Sequence, residues 1–441
     1  MARGRVHCPG VISNIKRQLY AVWKKGSRDG GFILIASSIK LLMKFLPIHF
    51  LVLFTLTGLV FYHILKNIRV KTIILIIWGF VFVSLYGHPR FAVLTVTMAF
   101  IVYGICKLLM KTPHKGKRKL LLFIGIAISL SMLAMFKYPV LKKELPLVLQ
   151  VKALGISYFT FKFIHVLIDT YRGRIKDLDM LTFGSFILFF PTFSAGPIER
   201  YGGFKKSLTG FKSLGKEDID IGISRIIYGL FKKFIIGDKT GIIIRKLAPE
   251  VLEVPIHILW LVVFLYSVRI YYDFSGYSDI AIGLGRLFGI KVPENFNKPY
   301  LKRNLTLFWQ NWHMTLTSWL REYLFMPLGK GLMRKVGLGH PYFINSVCQL
   351  VTMAAVGVWH GSTVSFLIWG LYHGVGLSLY RIYSDVLKKY GSEKLLSWLS
   401  ESKVAFYASI ALNFVFVSVG WVFFSFRWDV SIKIIARVIG R

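Results

Sequence analysis

Two histidines bring proton-transfer chemistry into an otherwise apolar chain. His360 sits in VGVWHGS (356–362), between a run of apolar and small residues and an apolar helix that resumes at Val364. His313 sits in FWQNWHMTLTSW (308–319), flanked by Trp309, Trp312 and Trp319. Imidazole is the side chain best suited to moving protons near neutral pH, and partial burial tunes it in either direction. Taken singly, each is equally readable as a buried histidine bonded to a neighbouring helix. Eight of the other histidines read more simply. His7, His114 and His340 lie in polar or turn contexts, and His49, His63 and His88 near expected helix ends, so they read as interfacial or solvated. His165 and His373 lie in apolar helices, beside Lys162 and beside Trp369 and Tyr372, and read as satisfied core histidines.

Other catalytic schemes find less support. Cys8, Cys106 and Cys348 are far apart and form no CxxC or Cys/His spacing, so neither a disulfide framework nor a metal site is expected. GLGRLFG (283–289) has Phe288 where the third glycine of a dinucleotide fingerprint belongs, and its Gly285 and Gly289 read instead as a GxxxG helix-packing signal. There is no G-x-S-x-G elbow and no H-E-x-x-H helix. Asp273 and Asp279 in YYDFSGYSDIAIG (271–283) are carboxylates in apolar surroundings at a spacing that does not share one helical face. A break at Ser275-Gly276 would let Asp273 cap a reentrant turn. Glu199 and Arg200 are expected to pair with each other or with a loop.

The elements that position these residues must be membrane helices. The 441 residues carry a net charge of +37, which alone would suit nucleic acid, but 55% are hydrophobic and 16% aromatic. The basic excess fits cytoplasmic loops under the positive-inside rule, and no nucleic-acid partner is expected. Apolar runs recur near 48–65, 72–87, 91–109, 120–136, 181–196, 221–236, 256–272, 343–358, 362–380 and 404–426. The stretch 32–46, with Lys40 and Lys44, reads as interfacial, and no cleaved signal is expected at the N-terminus. In the second half the helices alternate with segments rich in Pro, Gly, Asn and Trp, which cannot face lipid and must be buried or line a wet cavity. The stretch 293–329 reads as amphipathic helices dipping into the membrane, following the basic Lys298, Lys302 and Arg303.

KFLPIHF (44–50), LGISYFTFK (154–162), FFPTFSAGPIERY (189–201), YYDFSGYSDIAIGLGRLFGI (271–290), ENFNKPYLKRNLTLFWQNWHMTLTSWLREYLFMPLG (294–329), VGVWHGS (356–362) and WGLYHG (369–374) together resemble the membrane-bound O-acyltransferase (MBOAT) family. The likeness is to its bacterial branch of alginate O-acetylation and teichoic-acid D-alanylation proteins. It implies that the WHG histidine, here His360, is catalytic and that the upstream FWxxWH histidine, here His313, assists. Asn311, Trp312, Trp359 and Asp273 are further candidates for support, with Asn311 and nearby backbone N–H groups at the oxyanion, and the basic Lys298, Lys302 and Arg303 on the amphipathic segment are candidates to attract the donor's phosphates. Two features depart from the branch: KGLMRKVGLGHP (330–341) follows YLFMPLG where alginate-type proteins carry a Gly-Asn-Arg turn, and a basic extension, 1–31, precedes the domain at 32–441.

The expectation is therefore an all-α integral membrane protein of the bacterial plasma membrane, a polytopic bundle with reentrant and interfacial helices around a central tunnel. It would have roughly ten to twelve embedded segments. It would hold no cofactor tightly, taking an acyl group, acetyl before D-alanyl, from cytoplasmic acetyl-CoA or a phosphopantetheine carrier protein. The acceptor would be an extracytoplasmic glycan or an acyl-accepting partner protein. A transporter is the rival of another class, but no second copy of the WHG or DFSGYSD pattern marks an internal repeat. A nonenzymatic scaffold would tolerate loss of His360.

Overall fold

The computed structural model describes residues 48–146, 151, 153–211, 213–247 and 250–440. The extension 1–31 and the segment 32–46 lie outside the described residues. The described residues open with α1 (Ile48–Ile64), α2 (Ile68–Tyr86), α3 (Pro89–Lys111) and α4 (Lys115–Lys137). Short polar links separate them, and each of the later three starts on a side-chain cap. Asn67, His88 and His114 accept from the backbone N–H groups of Arg69, Arg90 and Lys117, which satisfies donors that a helix start leaves free. His88 and His114 are thus occupied at helix ends, as their contexts indicated.

Next come α5 (Ile156–Tyr171), α6 (Met180–Leu188), a helical turn at Phe190–Phe193 and α7 (Tyr201–Gly210). α8 (Lys216–Leu230) passes through a π turn (Phe231–Gly237) into α9 (Asp238–Leu247), and α10 (Ile256–Leu287) follows. The expected dipping segment is broken helix: a 3-10 turn at Pro299–Leu301, α11 (Leu305–Asn311), α12 (Met314–Leu320), a π turn at Arg321–Phe325 and α13 (Met326–Val336). The chain closes with α14 (Pro341–His360), α15 (Val364–Tyr390), α16 (Glu393–Glu401), α17 (Lys403–Ser425) and α18 (Trp428–Val438). No strand occurs among the described residues.

Among the described residues six helices, α2, α3, α4, α10, α14 and α17, are long and apolar enough to cross a membrane. Large apolar side chains such as Leu53, Phe61, Phe100, Phe123 and Leu412 stand exposed on the outside, as suits a surface solvated by lipid. The chain is an all-α, multi-pass membrane protein.

Helix association in lipid has little hydrophobic driving force and depends on close packing at small residues. α8 and α10 meet this way, Gly222 against Gly283 and Gly229 against Gly276: a Cβ on Gly229, Gly276 or Gly283 would collide with the opposite glycine's carbonyl, and one on Gly222 with the Leu287 side chain. That contact corrects the expected break at Ser275-Gly276. α10 is continuous through it, because the small residues there serve interhelical approach and not a turn. Asp273 therefore caps nothing; it is half exposed and pairs with Lys233 on the π turn. Asp279 is buried and pairs with Arg225 and, at 2.6 Å, with Lys232. The GxxxG reading also fails. Gly285 backs onto Ile290 and Val292 of the returning chain, and Gly289 lies beyond the helix end at φ +69°, a left-handed conformation that glycine adopts freely.

One aromatic-rich core lies among α1 to α7, with Phe91, Phe163, Phe183, Phe186 and Phe189 fully buried. A second lies among α11, α14, α15 and α17, with Phe308, Trp312, Trp369, Val417 and Trp421. A smaller cluster of Phe161, Ile164, Leu316 and Trp319 joins α5 to α12, and Trp359 packs on it.

Beside that junction, Lys162 is 2% exposed. It donates to the Phe186 carbonyl at 2.7 Å and lies 3.9 Å from Glu199, which also accepts from Thr192 Oγ1 at 3.1 Å. Glu199 and Arg200 thus do not pair with each other, since Arg200 reaches Glu322 at 3.2 Å. Removing one member of a buried pair strands the other charge, at a cost of about 3–5 kcal/mol, whereas replacing both with apolar groups is often neutral. Lys162→Met should therefore lower the melting temperature of the detergent-purified protein strongly, and Lys162→Met/Glu199→Leu should recover most of the loss. Equal instability of the single and double variants would refute a net electrostatic cost.

Candidate active site

His313 occupies the break between α11 and α12. Its backbone is left-handed, φ 44° and ψ 52°, a conformation that costs a non-glycine residue about 1–3 kcal/mol and persists only where the surroundings enforce it. The enforcing residue is Asn295, fully buried in the loop after α10. Its backbone carbonyl accepts from Met314 N at 2.9 Å. Its side-chain Oδ1 accepts from Thr315 Oγ1 at 2.8 Å and from Thr315 N at 3.3 Å, and lies 3.1 Å from His313 Nδ1. A backbone N–H only donates, so the Thr315 contact identifies that atom of Asn295 as oxygen, and the Asn295 Nδ2 donates to Ser278 Oγ at 3.2 Å. His313 Nδ1 must then carry the hydrogen. Its Nε2 is left as a bare acceptor, buried and without a partner among the described residues.

Phe274 of α10 meets the His313 ring edge-on at 4.7 Å, and Tyr158 of α5 stacks on it at 6.4 Å. Tyr158 continues to Trp359 at 6.1 Å, and Trp359 to His360 at 4.6 Å. Lys137 caps the same group: its Nζ lies 4.6 Å over the Trp359 ring and donates to Ser157 Oγ at 3.2 Å. A chain of ring contacts through Tyr158 and Trp359 therefore runs from His313 to His360. The structure thus unites the two histidines, which no helix shares.

His360 ends α14, and its ring is held among Trp359, Phe366, Trp369 and Phe424, with no hydrogen-bond partner among the described residues. The hairpin that carries it is tight, for a Cβ on Gly357 would run into the Phe366 carbonyl. Over His313 lies the GPIER segment, where Ile198 N donates to Thr315 Oγ1 at 3.0 Å and Tyr277 OH accepts from Ala195 N at 3.1 Å. Trp359 Nε1 is a buried donor without a partner among the described residues. A bare acceptor and a bare donor flank Tyr158. Each is a buried polar atom of the kind that is usually satisfied by a hydrogen-bond partner.

The match to MBOAT, membrane-bound O-acyltransferase family, runs over residues 91–421, well beyond half of the chain, and takes in both histidines, Asn295, Tyr158 and Trp359. The chain belongs to the membrane-bound O-acyltransferase family. Among MBOAT relatives, the peptidoglycan O-acetyltransferase of Helicobacter pylori is 29% identical over 93% of this chain and 80% of its own length. The teichoic acid D-alanyltransferase of Bacillus subtilis is 35% identical over 62% of this chain and 68% of its own. The probable alginate O-acetylase AlgI of Pseudomonas aeruginosa is 31% identical over 69% and 57%. The protein is accordingly an O-acyltransferase of cell-envelope polymers.

Several of the expected MBOAT site residues lie apart from this group. Asn311 donates one of its two amide hydrogens to Leu307 O at 2.8 Å, within its own helix, which leaves a single N–H for any other partner. Trp312 is packed among Phe296, Tyr300, Phe308 and Trp421, so it is core and not wall. Asp273 belongs to the α10 ion pairs. Lys298 is exposed, while Arg303 turns aside to stack on Phe406 at 5.6 Å. His165 is a satisfied core residue, accepting from Tyr201 N at 2.8 Å and meeting Asp169 at 3.2 Å. His373 is buried but not satisfied, for neither ring nitrogen has a partner among the described residues and aromatic rings surround it. Sequence reasoning missed Asn295, Tyr158 and Thr315. Their signal is slight: each is a single polar side chain inside an apolar or turn-rich run. No group of three or more His, Cys, Asp or Glu that could hold a metal occurs among the described residues.

Proposed function

We propose that this chain transfers an acetyl group from a cytoplasmic thioester to a hydroxyl of an extracytoplasmic cell-wall glycan at the bacterial plasma membrane. The observation that carries this reading is the pair of unsatisfied buried atoms, His313 Nε2 and Trp359 Nε1, linked through Tyr158 next to His360. His360 takes the proton of the acceptor hydroxyl as its oxygen attacks the thioester carbonyl. The new C–O bond forms, the C–S bond breaks, and the same imidazole returns the proton to the departing thiolate. His313, fixed by Asn295, assists from the donor side. The Trp359 N–H serves as a donor to the oxyanion.

The donor, acetyl-CoA or the phosphopantetheine arm of a carrier protein, is a transient substrate, and Lys298 and Lys302 draw its phosphates. Its approach is the cavity of about 240 Å³ between α11–α12 and α14, whose lining includes Trp309, Gln310, Arg321, Gln349 and Thr352. Acetyl is favoured by the long match to the peptidoglycan O-acetyltransferase; D-alanyl transfer is the second reading, favoured by the higher identity of the D-alanyltransferase match.

Reconstitution in oriented vesicles tests the reading. Labelled acetyl-CoA, or a charged carrier protein, is supplied on the cytoplasmic-facing side and glycan acceptor on the other. Label should reach the acceptor as an alkali-labile ester. Passage of unmodified acceptor across the bilayer, with the thioester unconsumed, would replace transfer with transport.

A further inference from the structure

Away from the histidines, α15, α16 and α17 close with Arg303 and Asn304 around a cavity of about 620 Å³. Arg303 and Lys388 are the charged residues of its wall, and no Asp or Glu lines it. Neither cation has a carboxylate partner among the described residues, although Asp385 close by is engaged by Arg381 at 2.9 Å. Tyr380, Tyr383 and Ser384 add hydroxyl groups, while Leu396, Leu412 and Phe416 make the rest apolar.

The helix ends place this cavity at headgroup level. Lys388 lies in the last turn of α15, and Lys403 opens the membrane-crossing α17. Between them α16, EKLLSWLSE, has no buried residue and exposes Leu395 and Trp398. A short amphipathic helix with an outward Trp belongs in the interface plane. From Lys388 the cavity descends along α15 to Gly376, about 18 Å at the helical rise, so it reaches from that plane into the hydrocarbon.

We propose that this cavity binds an anionic membrane lipid, with its phosphate on Arg303 and Lys388 and the start of an acyl chain along Leu396, Leu412 and Phe416. The guanidinium fork matches phosphate oxygens, and the Phe406 ring under it fixes its plane. A soluble phosphate compound would satisfy the cations but leave the apolar wall unfilled, which favours the lipid. The inference does not depend on the acyl-transfer reading.

Native mass spectrometry of the detergent-purified full chain tests it, with phosphatidylglycerol and phosphatidylcholine of identical acyl chains. At roughly 1 kcal/mol per basic residue near an anionic surface, a preference for phosphatidylglycerol of about tenfold or more is expected. R303Q/K388Q should abolish that preference, whereas K115Q/K117Q, which removes exposed cations at the start of α4, should keep it. Absence of a preference in the unmodified protein overturns the proposal whatever the variants do. So does equal loss in the control variant, or displacement of the lipid by coenzyme A or inorganic phosphate at equal concentration.

Discussion

His360→Ala should reduce acyl transfer to the envelope acceptor by about 10²–10⁴-fold, the usual contribution of a positioned general base, with the protein still inserted in the membrane. The side chain makes ring contacts only, so its removal leaves no hydrogen-bond partner stranded and the α14–α15 hairpin keeps its close contact at Gly357. His360→Gln should be no better than alanine, since an amide fills the space but cannot carry the proton. The measurement is ester formed per amount of membrane-inserted enzyme. Near-normal transfer by a well-folded His360→Ala protein would remove His360 from the chemistry and leave His313, with its bare Nε2, as the base.

Asn295→Leu should lower turnover by roughly 10²-fold, the scale on which misplacing a reactive group by about 1 Å acts, with less change in KM. Leucine keeps the bulk but gives up the oxygen that fixes both the tautomer of His313 and the entry of α12. Asn295→Asp retains that oxygen but puts an ionisable carboxyl group beside the His313 Nδ1–H, so it should keep more turnover than Asn295→Leu while altering its pH dependence. A purely structural asparagine predicts instead that both variants lose activity only in proportion to lost thermal stability.

The long apolar helices were legible because their evidence is local. Runs of bilayer-spanning length marked α2, α3, α4, α10, α14 and α17, and the polar, tryptophan-rich 293–329 marked the broken segment that holds His313. The two histidines were legible as well, since imidazole in apolar surroundings needs a reason. What failed was anything decided by a partner distant in sequence. Ser275-Gly276 looks like a turn until the glycines of α8 lie against it, and Glu199-Arg200 looks like a local pair until Lys162 and Glu322 are brought to them from elsewhere in the chain. Asn295 has no local pattern at all. Its role exists only because the loop after α10 returns under the α11–α12 break, a property of the fold and not of any short run of residues.

The ion pairs of α10 bear on how the chain enters its membrane. With Asp273, Asp279 and Arg269 in one helix, α10 is the least apolar of the six spans, and a single aspartate at the centre of an inserting helix costs about 2.5–3.5 kcal/mol. The cations that neutralise these carboxylates, Arg225, Lys232 and Lys233, all precede α10 in the chain. They have therefore left the ribosome before the aspartates emerge. When α10 is made, the charges that will neutralise it are thus already present in the nascent chain, so synthesis order favours the pairing of the most polar span.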